Sequence, residues 1–384
     1  MLRVIHIGQF PLHKDCIRGG IEASIYGLAK TQSTTCEVHV FDIPRIGGEG
    51  FVEDMEGVAV HRFRNSGGRQ LSASRQVPLM AKEIVTLCPN VCHIHGTSLF
   101  AWRMYKGLKK RGMPVAVTVH GLVMVEKCNA LKKGFSIKKL FQYLYQSQVE
   151  KRFLSQLTMA FVDTEYVKHR VHQYPIRKKP KMIVIPQGID ESFYRIKCSK
   201  DSKMILSLGA IGERKGHLLL LKAFERFIDE GVEGQLVIAG TVADNSYLKR
   251  LQDAITQSKY RNRVCLLVDL AEKDLKQLFE NAHLFALHSE EESQGIVFAE
   301  AMATGLPIVG TNVGGIPFVV GNGKNGLLSD YGDVNAFAKN IQWLMTDEAL
   351  WQTMSEASVR AADNYHWAEI SERIMQLYIE SVLC

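Results

Sequence analysis

HLFALHSEEESQGIVFAEAMATGLPIVGT, residues 283 to 311, holds a strand, a helix and a second strand in one short span. HLFALHS (283 to 289) is a short apolar run, AEAMATGLP behind it reads as a helix stopped by Gly305 and Pro307, and PIVGT (307 to 311) is strand-like again. Two carboxylates, Glu292 and Glu300, bracket Gly295 where the helix begins. Ser293 to Gly295 therefore lie at a helix entrance, where backbone N–H groups lack intrahelical acceptors and the positive end of the dipole favours a phosphate. Glu300 falls just inside the helix, among VFA and AMA. Either its two oxygens accept hydrogen bonds from vicinal hydroxyls such as a ribose diol, or it is an exposed helix residue and Glu292 merely complements the dipole, worth about 0.3 to 1 kcal/mol. Spacing alone leaves both open.

The same rhythm runs through the chain. RVIHIG (3 to 8), CEVHVFD (36 to 42), VCHIHG (91 to 96), VAVTVHG (115 to 121), MAFVDT (159 to 164) and MIVIPQG (182 to 188) are short β-rich runs separated by helical stretches. After an irregular link from Asp190 to Lys203 the pattern restarts with KMILSLG (203 to 209), QLVIAG (235 to 240), RVCLLVD (263 to 269), HLFALHS, PIVGT and GLLSD (326 to 330). Alternation of this kind predicts an α/β protein with parallel sheets covered by helices on both faces, and 384 residues are too many for one ordinary core. The expected division is two doubly wound Rossmann-like domains, residues 1–198 and 199–366, with a closing helix at about 367–384 returning to the first. Ligands of such sheets bind beyond the carboxyl ends of the strands.

Charge is unevenly spread: residues 1 to 190 hold 28 Lys+Arg against 14 Asp+Glu, and the remainder 19 against 26. The excess concentrates in residues 101 to 152, with 12 basic residues against Glu126 and Glu150. That run is either a solvated helical face or a surface for anionic membrane headgroups, since LFQYLYQSQVEKRF puts apolar residues at near-helical spacing beside lysines. No apolar run approaches the ~20 residues of a membrane span, and MLRVIHIGQF reads as a first buried strand rather than a signal peptide, so a cytoplasmic chain is expected. Eight scattered cysteines without a CxxC pair read as buried reduced thiols, Cys265 among them. CPNVCHIH, with Cys88, Cys92, His93 and His95, lacks a second ligand pair, and no metal is expected there. No GxGxxG follows the first strand, which argues against a dinucleotide-dependent oxidoreductase.

The block HSEEESQGIVFAEAMATGLPIVGTNVGGIP, residues 288 to 317, closely resembles the donor-site signature of retaining glycosyltransferases of the GT-B fold, family 4 (glycosyl transferases group 1). Glu292 and Glu300 match its spaced acid pair, Gly295 its central glycine, and Gly314, Gly315 and Pro317 its GG-I-P turn. GGIEASIYGLA (19 to 29), TVHG (118 to 121), IPQGID (185 to 190), LSLGAIGERKG (206 to 216) and the tail YHWAEISERIMQLYIESVL are similar to further motifs of that family. The resemblance implies a fold of two Rossmann-like domains facing across a cleft, acceptor bound by the first and nucleotide-sugar donor by the second. It further implies that Gly19 and Gly20 let the backbone approach the diphosphate, that Gly209, Arg214 and Lys215 form the phosphate loop, and that Ser293, Gln294, Gly295, Ile296 and Val297 line the donor site. His120 should then bond the donor sugar or the developing charge, Glu292 the sugar hydroxyls, and Glu300 the ribose. The chain departs from the family pattern at Ala210, Phe318, His288 and Val268.

Cleaving an anomeric bond leaves a nucleoside diphosphate carrying extra negative charge, so a lysine and backbone N–H groups aimed at it favour the transition state. Lys215 is the candidate for that charge; together with His120 and Glu292, whose roles the resemblance implies, it makes up the catalytic expectation, with no cofactor and no metal. The resemblance implies a hexosyltransferase-type enzyme that retains anomeric configuration, on a glycan or lipid-linked acceptor, in surface polysaccharide or lipopolysaccharide assembly at the inner face of a membrane. A nucleotide-sugar 2-epimerase and a non-catalytic nucleotide-sugar-binding protein are the alternatives.

Overall fold

The computed structural model describes residues 1–14, 17, 19–42, 50–63, 70–132 and 136–381. Lys133, Cys16 and Cys384 lie outside these, as does the side chain of Lys132. The chain divides into two compact units, Met1–Gly188 with Trp367–Cys384, and Ile189–His366.

The first unit runs β1 (Arg3–Ile7), α1 (Gly20–Gln32), β2 (Glu37–Asp42), β3 (Phe51–Met55), β4 (Val58–Arg62), α2 (Gln70–Thr86), β5 (Val91–His95), α3 (Leu99–Lys109), β6 (Val115–Val119), α4 (Val123–Lys132), α5 (Ile137–Leu154), β7 (Met159–Val162), α6 (Glu165–His172) and β8 (Lys181–Val184). Its sheet is ordered β3-β4-β2-β1-β5-β6-β7-β8, parallel except at β3. Successive residues of a strand face opposite ways, so Ile5, Ile94 and Val117 join one core cluster while Val4, Val38 and Ala116 join another. The β3–β4 hairpin was missed in the sequence reading. Its turn, Glu56-Gly57, has φ of 53° and 82°, as a tight primed turn with positive φ at both centres requires.

The second unit runs β9 (Met204–Leu208), α7 (His217–Asp229), β10 (Gln235–Gly240), α8 (Asn245–Gln257), β11 (Val264–Val268), α9 (Glu272–Asn281), β12 (Leu284–Leu287), α10 (Ile296–Ala303), β13 (Ile308–Thr311), α11 (Ile316–Val319), β14 (Gly326–Ser329), α12 (Val334–Thr346) and α13 (Glu348–Ala362). Its sheet is wholly parallel, ordered β11-β10-β9-β12-β13-β14. Helix α7 buries Leu220, Leu221, Phe224, Phe227 and Ile228 on one face, an amphipathic stripe of the usual helical spacing. Helix α10 starts at the αL residue Gly295 and ends before Gly305, whose φ is 84°, as the opening stretch predicts.

Helix α14 (Trp367–Ser381) returns to the first unit and packs on α1. The Trp367 indole fits because Gly27 and Gly188 carry no side chain: a Cβ would stand 2.2 Å and 2.5 Å from it. The division between units falls at Gly188, earlier than the expected 198, because Ile189 and Phe193 belong to the second unit's core and Cys198 N donates to Thr304 O at 2.9 Å. The described cysteines are free, but Cys265 is exposed rather than buried, since β11 is the edge strand of its sheet.

Candidate functional site

In a doubly wound sheet the strand order reverses at one place, and the loops leaving the two strands there diverge to leave room for a ligand. In the second unit that place is between β9 and β12. The loop after β9 carries Gly209 to Gly216 and the loop after β12 carries Ser289 to Gly295, and the fold ties them together. Lys215 Nζ donates to Glu292 Oε1 at 2.5 Å, Arg214 Nη1 to Glu292 Oε2 at 3.3 Å and to Glu291 O at 3.0 Å, and Ser289 Oγ to Glu292 Oε1 at 2.9 Å. Glu292 and Lys215 are both buried.

Glycines make this closeness possible. A Cβ on Gly209 would press on the Lys215 methylenes at 3.2 Å, and one on Gly216 would sit 2.0 Å from His288 O. On Gly315 it would lie 1.9 Å from Ser293 O, where Gly315 N already donates to Glu292 O at 2.7 Å. The GG turn therefore props the backbone that carries Glu292. Burial is the largest influence on both charged partners. It pulls Lys215 below the ordinary lysine value against the attraction of Glu292, and it works to raise Glu292, but Lys215 and Arg214 outweigh it and hold that carboxylate below its usual range.

Gly295, at φ 79°, begins α10 with no side-chain cap, and its Cβ position lies 3.6 Å from Glu292 Cγ. The uncapped donors of Ile296 and Val297 thus open beside the ion pair, with Ser293 and Gln294 leading in. Glu300 stands apart. Its carboxylate shares no partner with Glu292, and among the described residues it has neither hydrogen bond nor ion pair. Burial, then Asp190 and Glu272, push it up to about 7 against the pull of Lys276. A polar cavity of about 400 Å³ bordered by Asn312, Ser329, Asp330 and Asn340 shares none of these residues.

In the first unit His120 follows β6, Asp163 follows β7 and Gln187 follows β8, all at the carboxyl edge of the sheet. His120 is buried; its Nδ1 stands 3.2 and 3.3 Å from the Asp163 oxygens and its Nε2 3.0 Å from His95 Nδ1. A ring bond to a donor sugar therefore requires one of these partners to let go. Gly19 has an extended φ of 178° and open space beside it, so no local turn demands glycine there; Gly20 opens α1. Asp163 was missed in the sequence reading, although the strand-end rule points to it; Gln187 entered that reading only as part of IPQGID, and His95 only as a rejected metal ligand. Glu150 was missed too: fully buried on α5, it accepts from Val123 N at 3.1 Å, Met124 N at 3.0 Å and the Tyr174 hydroxyl at 2.9 Å, pinning the start of α4 just after His120.

Residues 18–193 match the profile of the family described as Glycosyltransferase Family 4, and residues 189–361 that of Glycosyl transferases group 1. A D-inositol 3-phosphate glycosyltransferase of Corynebacterium jeikeium is 32% identical over 183 residues, 47% of this chain and 44% of that protein. The chain spans about half the length of the relatives it matches in sequence. Among solved structures, the sucrose-phosphate synthase of Thermosynechococcus elongatus superposes with a TM-score of 0.83 at 18% identity, covering 99% of each chain. The Anabaena HepE protein in complex with UDP-glucose gives 0.75 at 18% identity, covering 99% of this chain and 100% of that one. The two profiles together run from residue 18 to residue 361, the neighbours share the GT-B fold over nearly the whole chain, and the chain belongs to the family 4 glycosyltransferases, the glycosyl transferases group 1.

Proposed function

We propose that the chain is a retaining, metal-independent glycosyltransferase that moves a sugar from a nucleoside diphosphate to a glycan or lipid-linked acceptor. One observation carries the reading: a buried Lys215–Glu292 pair lies beside the uncapped start of α10, at the strand-order reversal of the second unit. A diphosphate set there meets a lysine, an arginine and helix N–H groups, which favour the charge that develops as the anomeric bond breaks. Glu300 takes the ribose diol, Glu292 the sugar hydroxyls, and His120 bonds the donor sugar or the developing charge, which requires one of its partners Asp163, Gln187 and His95 to yield. The Anabaena neighbour solved with UDP-glucose supports a nucleotide-sugar donor.

Because lysine and helix dipole supply the positive charge, full turnover is expected in excess EDTA, read as acceptor-dependent release of nucleoside diphosphate from a panel of nucleotide sugars. Loss of turnover on chelation contradicts the metal-free assignment. NMR of the product's anomeric proton tests retention. Conversion of the donor to its 2-epimer without acceptor makes the chain an epimerase, and tight donor binding without any turnover makes it a binding protein.

The acceptor side is proposed to dock on an anionic membrane surface. On α5 the apolar side chains of Ile137, Phe141, Leu144 and Tyr145 are 66%, 68%, 48% and 49% exposed, at helical spacing beside Lys138 and Lys139. Among the described residues no helix is long and apolar enough to cross a membrane. Replacing Lys132, Lys133, Lys138 and Lys139 by Gln should weaken sedimentation with anionic liposomes at low salt, by about 1 kcal/mol per lysine; unchanged sedimentation makes the basic face a solvated one.

A further inference from the structure

The polar cavity of about 400 Å³ in the second unit lies at the carboxyl end of β14, the edge strand of its sheet, and is walled by residues of α11 and α12. Asn312 follows β13, Ser329 ends β14, and Asp333 caps α12 by accepting from Ala336 N at 2.9 Å. Positions three and four apart share a helix face, so Asp333, Ala336 and Asn340 stand in one row on α12, and all three border the cavity. Ala336, in the middle of the row, stops at Cβ and leaves that room open.

Two of these walls are buried polar groups without partners. Asn340 and Ser329 are 8% and 7% exposed. Among the described residues the Asn340 amide has no hydrogen bond, and the Ser329 hydroxyl has none either. A buried polar group is normally paired, and one left unpaired destabilises the fold. Helix α12 buries Phe337, Ile341 and Leu344 close by, so an apolar residue at 340 would suit the core as well. The missing partner has to come from the cavity.

The walls select its class. Asn312, Asn322 and Asn340 each present a donor and an acceptor, Ser329 a hydroxyl, and Asp330 and Asp333 acceptors alone. Two carboxylates with no lysine, arginine or histidine beside them repel a phosphate or a nucleotide. Pro317, Val320 and Leu328 add an apolar wall. An uncharged sugar ring answers all of this, with hydroxyls for the amides and carboxylates and a C–H face for the apolar side. The volume is at the lower end of the roughly 300 to 1,000 Å³ of small-molecule pockets, room for one ring and far more than a bare cation fills.

We infer that this cavity is a second carbohydrate site, taking one uncharged monosaccharide unit whose hydroxyls bond Asn340 and Ser329. Helix α11 joins it to the acid loop: Gly315 N, just before the helix, donates to Glu292 O at 2.7 Å, while Pro317 and Val320 border the cavity. That the site is a second one rests on the proposed function; its own chemistry does not.

The test is a titration of the full 15N-labelled chain with D-glucose, D-galactose and D-mannose, followed at the side-chain NH2 signals of Asn312 and Asn340, with sodium phosphate and calcium chloride as contrasting ligands. At least one sugar should shift the Asn340 signal saturably, with a Kd of about 1 mM. Ala336→Leu, which fills the open room in the row, and Asn340→Leu, which removes the amide, should each weaken that binding at least about 10-fold. Asn340→Leu should unfold at no lower a temperature than wild type, because it deletes an unpaired buried amide, so lost binding there is not lost folding. If no sugar moves the Asn340 signal at tenfold that concentration, the inference is overturned and the cavity holds water alone. Sugar binding of wild-type strength in both variants also overturns it, by placing the sugar elsewhere. A saturable Ca2+ shift that excludes the sugars overturns it in favour of a cation site, and saturable phosphate binding there contradicts the charge argument. If wild type transfers no sugar, the proposed function falls while this titration still decides the cavity.

Discussion

Glu300→Gln is expected to make the unliganded chain more stable and its hold on the donor weaker. The carboxyl is raised from an ordinary glutamate value to about 7 by burial and by Asp190 and Glu272. A group raised in this way binds more protons folded than unfolded, so its charge opposes folding. The penalty is absent below the unfolded value, grows as pH rises through the window up to about 7, and is complete above it, with a ceiling of about 3 kcal/mol. Gln removes it, and thermal unfolding at pH 8 should therefore occur at higher temperature in the variant. Donor binding goes the other way. Two hydroxyls donating to an ionised carboxylate make charge-assisted bonds of about 1.5 to 3 kcal/mol, so nucleoside diphosphate affinity should fall about 10- to 100-fold in calorimetry at pH 8. The wild-type chain should also bind more weakly as pH drops below about 7, and the variant should lose that dependence. A gain in stability with unchanged affinity would leave Glu300 a strained helix residue with no ribose to hold.

Lys215→Met is expected to cost more. It strands the buried Glu292 with Arg214 at 3.3 Å and the Ser289 hydroxyl at 2.9 Å. Breaking one side of a buried pair typically costs about 3 to 5 kcal/mol, whereas replacing both partners by apolar groups is often close to neutral. The double variant Lys215→Met/Glu292→Leu should therefore recover most of the stability lost by the single one, in denaturant unfolding. Neither should recover transfer, because a donor aimed at developing charge is worth about 10^2 to 10^3 in kcat. Recovery of activity with stability would reduce Lys215 to a structural ion.

The parts of this fold legible in the sequence are those set by local chemistry. Helix α10 could be bounded because Gly295, Gly305 and Pro307 act on their own neighbours, and the parallel strands because β-rich runs repeat with helices between. The β3–β4 hairpin escaped because Glu56 adopts a positive φ that its residue type rarely takes. The division at Gly188 escaped because a polar composition shift marks Asp190 to Lys203, while Ile189 and Phe193 within or beside it are held by contacts with Tyr365 and the second core. In the site, the motif residues could be named but their partners could not. That Lys215 binds Glu292, or that His6 lines up with His95, follows from which strands are neighbours, and strand order is written in no single stretch of sequence.

The most direct measurement is a crystal structure of the chain with a nucleoside diphosphate bound. The account predicts the diphosphate within hydrogen-bonding distance of Lys215 Nζ and of the N–H groups opening α10, with the ribose hydroxyls on Glu300. A nucleotide seated away from Lys215, or a ribose pointing away from Glu300, would contradict it.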